Sequence, residues 1–90
     1  MRLDISRAAE SDLKDIYRYT FHAFGPRQAD RYLKELGTVF EMLAEFPDMG
    51  KVFDQDSRSF IHGSHIVIYR VGDDVVLIGR IFHGARSLDD

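Results

Sequence analysis

Apolar and polar residues alternate at the start of the chain. Leu3 and Ile5 are set off by Arg2 and Asp4, the period-two pattern of a short strand with one buried face. The period then changes. Ser6 can accept a hydrogen bond from an orphan N–H of a first helical turn, which predicts an N-cap and a helix from Arg7 to about Ala23. Leu13, Ile16, Tyr17, Thr20, Phe21 and Phe24 recur there at three- and four-residue steps, with Glu10, Asp12, Lys14, Asp15 and Arg18 on the other sides. Gly25-Pro26 punctuates the pattern: glycine suits a helix end and proline the first position of the next helix. The second predicted helix runs from Pro26 to about Glu45, with Ala29, Tyr32, Leu33, Leu36, Val39, Phe40 and Leu43 on one stripe. A link this short implies antiparallel neighbours, an αα-hairpin. Pro47 closes the helix, because the residue before a proline avoids helical angles.

Residues 47–57 read as a loop. Beyond it come three β-rich runs, Arg58 to His62, His65 to Val71 and Val75 to Phe82, separated by the turn signals Gly63-Ser64 and Gly72-Asp73-Asp74. The last two runs are apolar on both faces. That fits a sheet with one face against the helical hairpin and the other partly covered or offered to a partner. The expected fold is α+β, in the order β-α-α-β-β-β, with the hairpin packed on a small, mainly antiparallel sheet. No internal repeat or low-complexity segment interrupts residues 1–90, which are expected to form a single domain.

Composition narrows the function classes. Hydrophobic residues make up 44% and charged residues 30% of the chain, a globular balance. The absence of cysteine excludes a disulfide framework, thiolate zinc sites and a cysteine nucleophile, and favours the cytoplasm as the compartment. The opening Met1 to Ser6 carries a charge at every second position, unlike an export leader, and no apolar run is long enough for a membrane span. The net charge of −3 provides no whole-protein field for wrapping nucleic acid. The charge is uneven, however. Residues 57–88 carry Arg58, Arg70, Arg80 and Arg86 against Asp73 and Asp74, together with His62, His65 and His83. A basic region of this kind predicts an acidic partner or target. The seven Phe and four Tyr exceed what two helices on a small sheet can hide, and surplus apolar surface predicts a protein partner.

Candidate chemistry is sparse. There is no phosphate loop, dinucleotide fingerprint, HExxH, EF-hand loop or nucleophile elbow. His62 and His65 flank a turn, but two histidines without a neighbouring carboxylate make a weak metal site, so no metal or cofactor is expected. One constellation could do chemistry: Tyr69, Arg80, His83 and Arg86. Arginine can stabilise a phosphorane, and histidine and tyrosine can move protons, as in a metal-free ribonuclease acting through the 2′-hydroxyl. The same residues also suit structural roles: Arg80 as an ion-pair partner, His83 as a strand-end cap, Tyr69 as core with its hydroxyl at the rim. No Glu lies beyond Glu45 to act as a base.

Taken in order, several segments resemble the ParE branch of the RelE/ParE superfamily of type II toxin–antitoxin toxins. They are Leu3-x-Ile5-Ser6 with Ala9, Asp12, Leu13, Ile16 and Tyr19; Gly25-Pro26 with Ala29, Tyr32 and Leu36; Leu43 to Gly50; His65 to Val71; and Ile78 to Arg86, which carries an R-x-x-H-G-x-R ending. Arg7 departs from the proline common at the first helical position, which affects only the cap. The resemblance implies a compact toxin neutralised by a cognate ParD-like antitoxin with a ribbon-helix-helix or similar half, and DNA contact only through that antitoxin. It implies DNA gyrase as the target and no catalysis. The RelE branch, which cuts messenger RNA on the ribosome, is usually rich in lysine and arginine. This chain is acidic overall and has only Lys14, Lys34 and Lys51, which favours the ParE branch. The expected antitoxin contacts are Leu13, Tyr17, Phe21 and Phe40 in a groove between helices and sheet, with Arg58, Arg70, Arg80 and Arg86 for acidic groups. A non-toxic antitoxin-binding module is a further alternative.

Overall fold

The computed structural model describes residues 1–84. Its elements are β1 (Arg2–Ile5), α1 (Arg7–Phe24), α2 (Pro26–Glu45), a single 3-10 turn (Pro47–Met49), β2 (Lys51–Val52), β3 (Arg58–His62), β4 (His65–Val71) and β5 (Val75–His83). The α+β class and the order of elements match the expectation. Within the predicted loop, the structure adds the 3-10 turn and the two-residue strand β2, which pairs with Arg58 and Ser59. No described helix is long and apolar enough to cross a membrane.

The helix boundaries follow from local chemistry. The Ser6 side chain accepts from the Ala9 N–H at 3.0 Å, capping α1. Gly25 takes φ 94°, a conformation that a side chain disfavours. Its N–H donates to the Phe21 carbonyl and its own carbonyl accepts from Ala29, so one residue ends α1 and begins α2.

The sheet order is β1-β5-β4-β3-β2, so the first and last strands are neighbours. β1 and β5 run parallel, with Leu3 opposite Val76 and Ile5 opposite Ile78; the other pairs are antiparallel. The core lies between the sheet and the hairpin. Leu36, Val39, Phe40 and Leu43 from α2 and Ile16 from α1 meet Val67, Tyr69, Val76, Ile78 and Ile81. The α2 stripe is the predicted one. The α1 stripe is narrower: Ile16 and Thr20 are buried, whereas Phe21 and Phe24 are exposed.

Two polar anchors fix the layers. The first holds α1 over the flank of β5. β1 ends at Ile5, so β5 has no strand partner on that side beyond Ile78. The Ser6 hydroxyl donates to the Gly79 carbonyl at 2.8 Å, and the Asp12 carboxylate accepts from the Ile81 N–H at 2.8 Å. The same carboxylate takes two hydrogen bonds from the Arg80 guanidinium, at 2.9 and 3.2 Å, which raises the arginine's pKa. The register against β4 shifts here. Tyr69 faces Ile78 while Ile68 faces Arg80, leaving Gly79 as the extra residue of a bulge. The inward set therefore passes from Val76 and Ile78 to Ile81, and Arg80 turns away from the core.

The second anchor is Tyr69. Its ring is fully buried, and its hydroxyl accepts from the Gly50 N–H at 2.9 Å and donates to the Pro47 carbonyl at 2.8 Å. Gly50 is required by this close approach, because a Cβ there would lie 2.5 Å from the Tyr69 hydroxyl and 2.7 Å from the Ser59 carbonyl.

Tyr69→Phe removes the hydroxyl that accepts from the Gly50 N–H and should destabilise the fold by about 1–3 kcal/mol, the cost of an unsatisfied buried donor, measured by urea unfolding. Asp12→Ala strands the Ile81 N–H and should cost about the same, roughly 1–3 kcal/mol. Arg80→Ala, which removes only the half-exposed partner, should cost clearly less in the same assay.

Candidate functional site: two grooves flanking helix α1

Opposite sides of α1 line two grooves. The first, about 480 Å³, is lined by Leu13, Lys14, Tyr17, Arg18, Phe21 and His22 of α1 and Leu33 of α2. The helical repeat explains the grouping: positions 13, 17 and 21 stack on successive turns, with 14, 18 and 22 one step round the helix. The floor is therefore apolar and aromatic, and the rim carries Lys14, Arg18 and His22. Tyr17 and Phe21 rings lie 6.0 Å apart. The Tyr17 hydroxyl donates to Asp30 on α2 at 2.9 Å, which ties the two helices together and raises the tyrosine pKa. Phe21 is exposed although it belongs to an aromatic cluster. Such a surface suits an amphipathic segment with apolar residues on one face and carboxylates beside them.

The second groove, about 560 Å³, runs between α1 and the open flank of β5. Asp12, Asp15, Ile16 and Tyr19 line one wall, and Arg80 to His83 with His65 line the other. Its charges are largely engaged. Asp12 holds Arg80, Asp15 lies 3.5 Å from Arg18, and the Arg80 guanidinium sits 4.9 Å over the Phe82 ring. His65 and His83, paired across β4 and β5, meet edge to face with ring centroids 5.5 Å apart.

The structure separates the residues singled out from the sequence. Leu13, Tyr17 and Phe21 share the first groove. Phe40 does not: it is only 2% exposed, because its stripe on α2 faces the sheet, and it supports the core beneath the hairpin. The groove also lies on the helices alone, not between helices and sheet. Arg58 donates to the Gly50 carbonyl at 2.7 Å and pairs with Asp48 at 3.6 Å, so it braces the segment before β2. Arg70 is exposed on β4. Arg86 lies outside the described residues. Of the remaining members of the constellation Tyr69, Arg80, His83 and Arg86, the Tyr69 hydroxyl is held by Gly50 and Pro47 and its pKa is raised by burial, Arg80 is held by Asp12, and His83 lies against His65.

Sequence reasoning missed the cationic rim of Lys14 and Arg18, the pairing of Asp12 with Arg80, and the neighbourhood of His65. Helical spacing carried the first signal, since positions 14 and 18 follow 13 and 17. The other two depend on register across the sheet. Among the described residues, no group of three or more His, Cys, Asp or Glu side chains is arranged to hold a metal ion.

Comparison with known proteins agrees with this architecture. Residues 3–88 match the family model described as ParE toxin of type II toxin-antitoxin system, parDE. Toxin ParE1 of Caulobacter vibrioides is 42% identical over 87 residues, 92% of this chain and 88% of that protein. Toxin ParE1 of Mycobacterium tuberculosis is 32% identical over 89 residues, 94% of this chain and 91% of that protein. Toxin RelE2 of Caulobacter vibrioides is 34% identical over 79 residues, 87% of this chain and 89% of that protein. A solved structure titled as the chromosomal ParDE toxin–antitoxin system from P. aeruginosa superposes with a TM-score of 0.80 at 22% identity, covering 92% of this chain and 95% of that one. By sequence over nearly its whole length and by its fold, this chain belongs to the ParE toxin family of type II toxin–antitoxin systems.

Proposed function

We propose that the groove of Leu13, Tyr17, Phe21 and Leu33 receives an amphipathic segment of a cognate ParD-like antitoxin, and that the free protein inhibits DNA gyrase without breaking bonds itself. The observation that carries the first part is the groove's make-up: an aromatic floor that the fold leaves uncovered, rimmed by Lys14, Arg18 and His22. An antitoxin helix would place leucine-like side chains on the floor and acidic ones against Lys14 foremost, since Arg18 already lies 3.5 Å from Asp15. Arg70 is the exposed sheet arginine available for further carboxylates, since Arg58 and Arg80 already serve Asp48 and Asp12. In this reading operator DNA is met only through the antitoxin's own DNA-binding half. The module works in the cytoplasm, where gyrase and its DNA are.

The gyrase reading rests on kinship with ParE relatives and on chemistry. An acidic chain with three lysines is poorly suited to ribosomal RNA. Tyr69 and Arg80 are both engaged in hydrogen bonds that hold the structure together. A second reading, a ribosome-dependent endoribonuclease, is favoured by the 34% identity to a RelE2 toxin and by the His65–His83 pair beside the second groove. Induced expression separates the two. Gyrase inhibition predicts filamentous cells and linearised plasmid with purified gyrase, with toxicity unaffected by His83→Ala. Transcripts cut at codons would favour the nuclease.

The groove itself is tested by Phe21→Asp and Leu13→Asp. Each should weaken antitoxin binding by roughly 30- to 700-fold, the 2–4 kcal/mol of a buried aromatic or aliphatic anchor, measured by titration calorimetry. Toxicity should persist and should no longer be relieved by the antitoxin. Wild-type affinity in both variants would place the antitoxin elsewhere.

A further inference from the structure

One end of the sheet carries a row of three histidines. His62 on β3 stands opposite His65 on β4, and His65 opposite His83 on β5, so the three occupy neighbouring strands at one level. Two residues of α2 close over the row. The Tyr32 hydroxyl lies 2.6 Å from His65 Nδ1 and 3.3 Å from the His62 carbonyl, and the Tyr32 ring stacks on His62 with centroids 5.8 Å apart. Glu35 lies 3.2 Å from His62 Nε2. The β3–β4 turn is shaped for this contact: Gly63 takes φ 57°, and a Cβ there would meet the Tyr32 hydroxyl at 2.8 Å. At this end, therefore, α2 is joined to the sheet through a cluster of imidazoles, a phenol and a carboxylate.

We infer that His62, His65 and His83, with Tyr32 and Glu35, form a proton-sensitive clasp. It holds this end of the sheet against α2 when His65 is neutral and loosens when His65 is protonated. The geometry carries the argument. His65 is the central member, half-buried beneath Tyr32, with an imidazole on the strand to either side. A second or third proton in the row would set like charges on adjacent strands at the spacing of cross-strand neighbours, where such pairs destabilise. Among the described residues, the carboxylates around the row are each engaged with a group other than His65. On α2, Glu35 lies 3.2 Å from His62 Nε2. On α1, Asp12 and Asp15 line the groove that His65 also lines, but they pair with Arg80 and Arg18. On β5, Arg80 adds positive charge to the same groove. Burial foremost, then the charges of His83 and His62, pushes the His65 pKa below its ordinary value.

The direction of the pH effect follows. In the interval just below the ordinary imidazole value, the unfolded chain binds a proton that folded His65 refuses, so the fold loses stability as pH falls and regains it as pH rises. His65 and His83 also line the groove between α1 and β5. The clasp is separate from the groove assigned to the antitoxin and does not depend on the target.

Thermal unfolding of the full chain from about pH 7.5 to about pH 5.5, across the histidine range, tests the proposal together with imidazole NMR titration. His65 should titrate below the ordinary histidine value and rise towards it in His62→Asn and in His83→Asn. His65→Gln should flatten the fall in melting temperature on acidification, and acid should lower the hydrogen-exchange protection of the amides at 62–66 in the wild type more than in that variant. If His65 titrates at or above the ordinary value, or if His65→Gln shows the wild-type pH slope, the clasp does not exist. The NMR titration decides the matter even if His65→Gln fails to fold.

Discussion

The arrangement depends on how the unpaired flank of β5 is satisfied. β1 has four residues and β5 has nine, so the parallel pairing runs out at Ile78. A sheet flank left with open N–H and C=O groups either recruits another strand or must be covered. Here α1 covers it from within the same chain. Ser6 serves twice, capping the helix and donating to Gly79, and Asp12 accepts from Ile81 while holding Arg80. These contacts set where α1 lies across the sheet. The position of α1 in turn creates the two grooves, an apolar one towards α2 and a polar one towards β5. The exposure of Phe21 in the first groove is thus a consequence of the anchoring on the other side of the helix.

The order of elements was legible in the sequence because it rests on local signals: the change from period two to helical period at Ser6, the Gly25-Pro26 junction, and the turn signals at 63 and 72. The α2 stripe was legible for the same reason. Non-local features were not. β2 is two residues long, and a run of two has no periodicity to detect. The bulge at Gly79 switches the inward face from Ile78 to Ile81, whereas a strict period of two would send Arg80 inward; only pairing with β4 fixes that. Phe40 belonged to a correct helical stripe, but nothing local distinguishes a residue facing the sheet from one facing a groove. The partner of Arg80 lies 68 residues away, beyond the reach of any pattern.

The two ends of the sheet are finished with different chemistry. At one end Tyr69 pins the 3-10 turn with a phenol that stays neutral across the physiological range, and Arg58 reinforces it through the Gly50 carbonyl. At the other end Tyr32 and three histidines join α2 to the β3–β4 turn, with burial holding the central His65 below its ordinary pKa. Between these ends, the outer surface of the hairpin carries the apolar groove of Leu13, Tyr17, Phe21 and Leu33. Both Tyr69 and Arg80, which as residue types suggest catalysis, are occupied in holding the fold.

The central claim is that the uncovered face of α1, and not the sheet, is where the antitoxin docks. Backbone amide hydrogen exchange on the chain with and without its cognate antitoxin measures this directly. The account predicts that antitoxin-induced protection concentrates on residues 13–22 and around Leu33, with β2 and β3 little changed. Protection confined to β2, β3 and the outer face of the sheet, with α1 exchanging as in the free protein, would contradict it.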